Sequence, residues 1–556
     1  MQAPLGGGAT AAATRWPRRA AMMHLRQRVV VESDVCIIGS GISAAMVADK
    51  LARQGRSSIV VVEAGDDVPA LVQRGGLRQR FLAYGENPWP GDHLDGYEVE
   101  GPLQSRSMGV GGLAMHWGGV TPRFSPEDFR LKTLYGFGTD WPITYDDLEP
   151  HYMEAERVLG VAGEQGPAPL DPRSGPFPMP RLPLTYNLEL LKGWVGKAGI
   201  TMWSQPSSKN SVPYDGRAVC CRNDTCSPIC PIGAKYSPDF TWSKWRSAKR
   251  VDLRTRTLVR RLDVDASGRV TRAVAVQRDA PNQEVEFRAR TFVIAGGYVW
   301  SSHLLLSSRS DRFPSGLANR SGLVGKYLTG HRNVQAYIRL PITLYPGINE
   351  QHSLVTKQFM RVPKRADGRY LRHDLRVWES SSGQTPRLRN DAGALMLGDE
   401  ILQDWRGRTA KGVARVRAYY DVIPDLHSEL TLDPSKRNVH GDPLPRLSFK
   451  DAPQSAELRG WTEEHLRGVF TELARAGNGE VVRTASDSFQ DHPAGGCRMG
   501  DDPATSVTNS WGRTHDHENL FVVGAPTCVS GSCCNSTLTF CALSLRSAEE
   551  IGRGLK

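Results

Sequence analysis

No stretch of this 556-residue sequence approaches the ~20 consecutive apolar residues that a membrane-spanning helix needs. Charge of one sign is not in large excess either. The 70 basic and 59 acidic side chains leave a formal +11, which is mild at this length and reads as solvated surface charge. No basic tract interleaved with aromatics occurs, so nucleic acid is not an expected partner, and a membrane would be reached only through partner proteins. Cysteine is sparse, ten residues in all, which excludes a disulfide framework. The sequence is also not expected to carry an export signal of its own. Arg18-Arg19 opens like a twin-arginine motif, but the apolar stretch after it, Ala20 to Leu25, is too short and is interrupted by Arg26 and Arg28. Residues 1–30 are rich in small residues, low in complexity and expected to be disordered. The remainder, at 39% hydrophobic and 23% charged overall, has the balance of a soluble globular chain long enough for more than one domain.

The most informative stretch runs from Ser33 to Asp66. Val35-Cys-Ile-Ile38 is a short apolar run that predicts a buried parallel strand. Gly39-Ser-Gly-Ile-Ser-Ala44 follows at once and has the form G-x-G-x-x-A. Gly39 allows a tight turn, Gly41 lets backbone approach a pyrophosphate, and Ala44 lets the next helix pack close to the strand. That helix ends at Gly55, and a second strand, Ile59-Val-Val-Val62, delivers Glu63, an acid placed to accept from ribose hydroxyls. Strand, turn, helix, strand and acid in this order predict dinucleotide binding. They do not distinguish FAD from NAD.

Three further stretches carry candidate chemistry. Ser105 to Arg123 crowds Gly109, Gly111, Gly112, Gly118 and Gly119 around His116-Trp117; it reads either as backbone lying on a flat or phosphorylated ligand or as a flexible loop with a packed aromatic. Cys220, Cys226 and Cys230 form C-x5-C-x3-C, with Cys221 beside the first and Pro231 after the last. Thiolates so spaced on a proline-bearing loop suit an iron–sulfur cluster, three of them a [3Fe–4S] cluster, with Cys221 a candidate fourth ligand. Zinc and metal-free thiols are the alternatives. Near the C-terminus, His492 lies in Asp491-His-Pro-Ala-Gly-Gly-Cys-Arg-Met-Gly500, and Asn535-Ser-Thr537 opens a helix beyond the strand Leu520 to Val523. Taken alone, His492 reads either as a core histidine or as a catalytic one.

Between these stretches lie a helix over 148–159, a Pro/Gly-rich segment over 163–185, a hairpin turning at Ser267-Gly268, a buried strand Thr291-Phe-Val-Ile-Ala-Gly-Gly297, alternating stretches over 331–450 that predict an antiparallel sheet with one wet face, and a helix over 456–476.

Four separated blocks resemble the glucose–methanol–choline (GMC) oxidoreductases: the G-x-G-x-x-A unit, GVGGLAMHW, HPAGGCRMG, and NLFVVGAP continuing into CCNSTLTFCAL. The resemblance implies a Rossmann-like FAD-binding domain of α/β type interleaved with an α+β substrate domain on an antiparallel sheet. The expected boundaries are 31–145, 250–330 and 485–556 for the FAD domain, and 146–249 and 331–484 for the substrate domain, with the cysteine loop 220–235 in the latter. It implies FAD contacts at Gly39, Ser40, Gly41, Ile42, Ser43, Glu63, Ala64, Gly109, Gly112, His116, Trp117, Val259, Ala295, Gly524, Ala525, Asn535 and Thr537, and catalysis by His492 and Asn535. Within the family the cysteine segment is similar to that of bacterial FAD-dependent sugar dehydrogenases. There a [3Fe–4S] cluster, here implied at Cys220, Cys221, Cys226 and Cys230, relays electrons to a cytochrome c subunit. That likeness implies a sugar or glycoside substrate, a small accessory subunit and a cytochrome c-type acceptor, with the chain either periplasmic by co-export with its partner or cytoplasmic. The His116 loop is also similar to that of pyranose 2-oxidase, whose matching histidine is covalently bound to flavin, which makes His116 a candidate for the same bond. A pyranose-oxidase-like enzyme reducing oxygen, or a catalytically silent flavin relay subunit, are the alternative functions. Two departures from the family pattern stand out: Gly524-Ala525 where Asp-Ala or Asp-Gly is common, and Asn535 where histidine is common.

Overall fold

The structure, a computed structural model, describes residues 29–89, 99–100, 107–223, 225–345, 352–380, 386–438, 440–486 and 491–556. Most of the expected N-terminal tail, 1–28, lies outside the described residues; the first strand, β1 (Val29–Ile38), begins two residues inside its expected limit. The 224 position of the cysteine loop also lies outside them.

The nucleotide-type unit folds as its pattern requires. β1 is followed by helix α1 (Ile42–Gln54), which ends on Gly55 in the left-handed region, and then by strand β2 (Ile59–Val62). β1 pairs in parallel with β2 on one side and with the long strand Ala280–Ile294 on the other. β2 pairs in parallel with Val251–Arg254, and Leu520–Val522 joins the far edge of Ala280–Ile294, also in parallel. The antiparallel strands Thr257–Val264 and Val270–Gln277 complete a seven-stranded sheet.

The apolar runs are continuous because both faces of this sheet are covered. Val35 and Ile37 point into one core with Ile59, Val61, Val293 and Phe521. Cys36 and Ile38 point into the other with Val60, Phe292, Ile294 and Val522. The first core is closed by α1, by Tyr145–Leu159 and by the C-terminal helix Thr537–Gly554. The second is closed by Gly297–Ser307.

A second seven-stranded sheet is antiparallel, in the order Glu480–Ser486, Thr329–Arg339, Val413–Asp421, Leu375–Glu379, Leu354–Thr356 and Trp203–Ser204, with Asp491–Ala494 added at the start of Thr329–Arg339. One face is the apolar core: Val334, Ala336, Ile338, Val377, Val416 and Ala418 pack with residues of the helices Tyr186–Lys197 and Pro453–Ala476. The other face carries Gln335 opposite Arg417 and Tyr337 opposite Arg415. The alternation is as expected, but this polar face is not simply wet. His331, Asp374 and Arg376 are all buried, and Arg376 Nε donates to Asp374 at 2.8 Å. The reason is positional: this end of the sheet turns its polar side toward the site described below. Residues 485–556, grouped in sequence with the FAD-binding part, contribute to both sheets, Leu520–Val522 to the parallel one and Asp491–Ala494 to the antiparallel one. Among the described residues no helix is long and apolar enough to cross a membrane.

Candidate functional site

The two sheets meet at a cavity of about 500 Å³. Its floor is the turn after β1. Gly39 has φ +97, and a Cβ there would lie 2.8 Å from the Ala295 carbonyl oxygen, so the turn accommodates only glycine. Gly41 caps α1, which has neither a side-chain cap nor an acid in its first turn, so the helix N–H groups remain available. A Cβ added to Gly41 would meet nothing within 4 Å. The open volume therefore reaches the backbone itself, as a bound pyrophosphate requires.

Glu63 at the end of β2 lines the same cavity and is fixed from both sides. Its Oε2 accepts from Ser40 N at 3.0 Å and from Ser40 Oγ at 2.5 Å, and its Oε1 accepts from Gly65 N at 2.8 Å. Burial pushes its carboxyl above the usual carboxylate range, while these hydrogen bonds pull the other way. The second glycine-rich loop lies on the first: Gly111 N donates to Ser40 Oγ at 3.2 Å. A Cβ on Gly112 would lie 3.4 Å from Gly41 Cα, so the two loops are in contact there.

Of the expected cofactor contacts, Gly39, Ser40, Gly41, Ile42, Ser43, Glu63, Ala64, Gly109, Gly112, His116, Trp117, Val259, Ala295, Ala525, Asn535 and Thr537 all line this cavity. Gly524 differs. It stands behind the wall, with φ +79, and a Cβ there would lie 2.0 Å from Ser43 Oγ. Its small size admits Ser43, and this packing accounts for glycine at a place where the family often has aspartate. The cavity also has a wall that was not read from the sequence: Tyr298, Trp300 and His303 from Gly297–Ser307, and Arg260 paired with Asp442 at 2.5 Å. The signal for the first three was the Ala295-Gly-Gly297 sequence after a strand, which repeats the strand–glycine–helix logic of the N-terminus.

His492 and Asn535 line the cavity together, and Asn535 Nδ2 lies 2.7 Å from His492 Nε2. Two irregularities bring them there. The ladder between Thr329–His331 and Asp491–Ala494 contains a bulge, and His492 sits within it at φ +47, a strained conformation for a residue with a side chain. Asn535 stands just before Ser536, the N-cap of the helix Thr537–Gly554, whose first turn holds no acid. His492 Nδ1 lies 2.8 Å from His331 Nε2. His331 went unnoticed in the sequence; its only signal was a polar position in an alternating strand.

The four expected metal-binding cysteines sit beside this cavity, not in it. Cys226 and Cys230 are buried, Cys220 is half-buried and Cys221 is exposed. Lys235 is buried with them. Its Nζ donates to the carbonyl oxygens of Cys226 (2.6 Å), Trp117 (2.6 Å) and Met115 (3.2 Å). Burial lowers its pKa to about 8, against the opposing pull of Cys226 and Cys230. Three soft sulfur ligands with a buried cation beside them suit an anionic cluster. Among the described residues, Asp128, Asp421 and Cys533 place three ligand atoms within 4.8 Å of one another. The Asp128–Asp421 trio is neutralised from within the protein, by Arg372 at 2.5 Å and 3.2 Å.

Comparison with known proteins agrees with this arrangement. A family model described as GMC oxidoreductase matches residues 424–544. The fructose dehydrogenase large subunit of Gluconobacter japonicus is 32% identical over 552 residues, covering 95% of this chain and 99% of that one. The 6'''-hydroxyparomomycin C oxidase of Streptomyces lividus is 29% identical over 550 residues, covering 94% of this chain and 92% of that one. Among solved structures, a formate oxidase superimposes with a TM-score of 0.64 at 15% identity, covering 95% of this chain and all of that one. A nucleotide-type cradle, an imidazole and an amide converging at its mouth, and relatedness along nearly the whole length lead to one conclusion: the chain belongs to the GMC oxidoreductases and is an FAD-dependent enzyme acting on CH–OH donors.

Proposed function

We propose that the protein is a dehydrogenase that oxidises a hydroxyl-bearing carbon of a sugar or glycoside and passes the electrons through an iron–sulfur cluster to an external acceptor such as a cytochrome c. The observation that carries this reading is the 2.7 Å approach of Asn535 Nδ2 to His492 Nε2 at the cavity wall. Oxidising an alcohol removes a hydroxyl proton and a hydride from the same carbon. His492 is the base for the proton, and Asn535 donates a hydrogen bond that orients the hydroxyl and stabilises negative charge developing on its oxygen. FAD, held by the Gly39–Ser43 turn, Glu63 and the Gly109–Trp117 loop, supplies the hydride acceptor when bound. Trp117 is held in place by its indole N–H, which donates to the Tyr236 carbonyl at 2.9 Å.

The sugar assignment is supported by relatives whose names specify fructose and 6'''-hydroxyparomomycin C, and partner subunits by a relative that is itself a large subunit. The relay is supported by the position of the cysteine loop, which hydrogen-bonds to the carbonyl oxygens of Met115, His116 and Trp117. Cys220, Cys226 and Cys230 would hold the cluster, with Cys221 as the outer candidate. A bound cluster supplies one-electron transfer, which suits delivery to an acceptor protein rather than to oxygen.

The test is an absorption and EPR spectrum of anaerobically purified protein, before and after addition of D-fructose, D-glucose and D-gluconate in turn. The expected result is a flavin spectrum with a three-iron signal, both of which change with at least one sugar. Flavin without iron, with peroxide formed in air, would favour the oxygen-using alternative. Flavin unresponsive to every sugar would favour a silent relay subunit.

A further inference from the structure

We propose that His331 is a positioning residue that fixes the tautomer of His492 and, through it, the orientation of Asn535. This rests on the reading of His492 as the base. His331 is fully buried, on the strand Thr329–Arg339. Its Nδ1 lies 3.4 Å from the Gly531 carbonyl oxygen and its Nε2 lies 2.8 Å from His492 Nδ1. A carbonyl only accepts, so His331 carries its proton on Nδ1 and offers a lone pair at Nε2. His492 must then donate from Nδ1, which leaves the lone pair on His492 Nε2. That is the nitrogen facing the Asn535 amide at 2.7 Å, which donates to it. The direction of every bond in the series is set by one backbone oxygen.

The order has two consequences. His492 presents its basic nitrogen, not an N–H, to the cavity. Asn535 is held with its amide nitrogen toward His492, because its amide oxygen there would face the lone pair on Nε2. Asn535 Oδ1, buried and without a partner, is thereby directed elsewhere as an acceptor.

The support for this order comes from packing. Gly531 and Gly330 pass so closely that a Cβ on Gly531 would lie 2.1 Å from the Gly330 oxygen, which brings the 531 backbone against the start of the His331 strand. The Gly531 carbonyl is fixed again by Ser536 Oγ at 2.9 Å. The Tyr419 ring lies 4.2 Å from the His331 ring and 5.8 Å from that of His492, and it is covered by the guanidiniums of Arg417 and Arg376 at 4.4 and 5.1 Å. The histidine pair therefore rests on a ring that is itself clamped.

The test compares His331→Phe, which keeps a ring but removes the acceptor, with His331→Gln, whose side-chain oxygen can accept from His492 Nδ1. In holoenzyme with unchanged flavin content, the phenylalanine variant is expected to lose about 10- to 100-fold in kcat with KM within about twofold of wild type, and glutamine to recover most of that loss. A purely structural role would lower flavin content or raise KM, and glutamine would not restore it selectively. Phenylalanine within twofold of wild type in kcat, or glutamine as impaired as phenylalanine, overturns the proposal. If the phenylalanine variant does not retain flavin, His331→Leu against His331→Gln makes the same comparison. His492→Ala is run alongside: if it stays active, the base assignment itself has failed, whereas an inactive alanine variant beside a fully active phenylalanine variant removes only the role of His331.

Discussion

Ser227 Oγ donates to the His116 carbonyl oxygen at 2.8 Å, and with the Lys235 bonds to Met115 and Trp117 it joins the cysteine-rich loop to the loop that walls the cavity. Two further contacts strengthen the join: Trp89 Nε1 donates to the Pro228 carbonyl at 3.2 Å, and the Trp89 ring packs edge-on to His116 at 6.2 Å. Ser227 follows Cys226 directly, so a group held by these thiols would lie beside the loop that walls the cavity. That adjacency is what a relay between flavin and an external acceptor needs.

The two functions should therefore separate on mutation. Cys230→Ser is expected to lower bound iron and to abolish cytochrome c reduction, while a sugar still bleaches the flavin in the absence of air. Iron analysis together with anaerobic absorption spectra checks this. Full cytochrome reduction by an iron-free variant would remove the relay.

Gly39→Ala should weaken flavin binding. The added methyl meets the Ala295 carbonyl oxygen at 2.8 Å and forces a side chain onto φ +97. A strain of about 1.4 kcal/mol already corresponds to tenfold in affinity, so the variant is expected to purify largely as apoprotein and to bind added FAD at least about tenfold more weakly. Flavin fluorescence titration measures it.

Glu156 is wholly buried and holds two guanidiniums, Arg123 at 2.8 Å and Arg173 at 2.6 Å. Removing one partner leaves buried charge uncompensated, at a cost of about 3–5 kcal/mol. Glu156→Ala is expected to lower the apparent melting temperature by several degrees, and Glu156→Gln, which keeps acceptor and shape, by less. Equal melting curves for wild type and the alanine variant would contradict the reading.

Acid lability has an identifiable contributor in His352. Burial lowers its pKa to about 3, helped by Lys209, Arg222 and Arg181, so it stays neutral in the fold while the unfolded chain takes up a proton near the ordinary value of ~6.5. Between those two values the unfolded state binds more protons, so stability is fully present above ~6.5 and is lost as pH falls toward about 3, by about 1.4 kcal/mol per pH unit. His352→Gln keeps an acceptor for Ser204, which lies 3.1 Å from His352 Nε2, and should flatten the decline of melting temperature with pH in that window. An unchanged slope would contradict the assignment.

The nucleotide-type half was legible because its signals are local. Strand, glycine turn, helix and acid follow one another within Ser33–Asp66, and the structure reproduces them in the same order. The antiparallel sheet was legible as an alternation, but not the burial of its polar face, since burial there depends on what the face turns toward. His331 illustrates the limit. It is separated from His492 by 161 positions, and nothing in the residues around it distinguishes it from any other polar position in a strand. Gly524 shows the reverse case: the sequence marked it as a departure, and only the 2.0 Å approach of its missing Cβ to Ser43 explains why glycine is required.

His492 is proposed to take the hydroxyl proton as the substrate carbon is oxidised. The measurement that tests it most directly is the limiting rate of anaerobic flavin bleaching by a responsive sugar, in wild type and in His492→Ala of equal flavin content. A fall of about 10²- to 10⁴-fold in the variant is the predicted result. Bleaching at a rate within a few fold of wild type would contradict it.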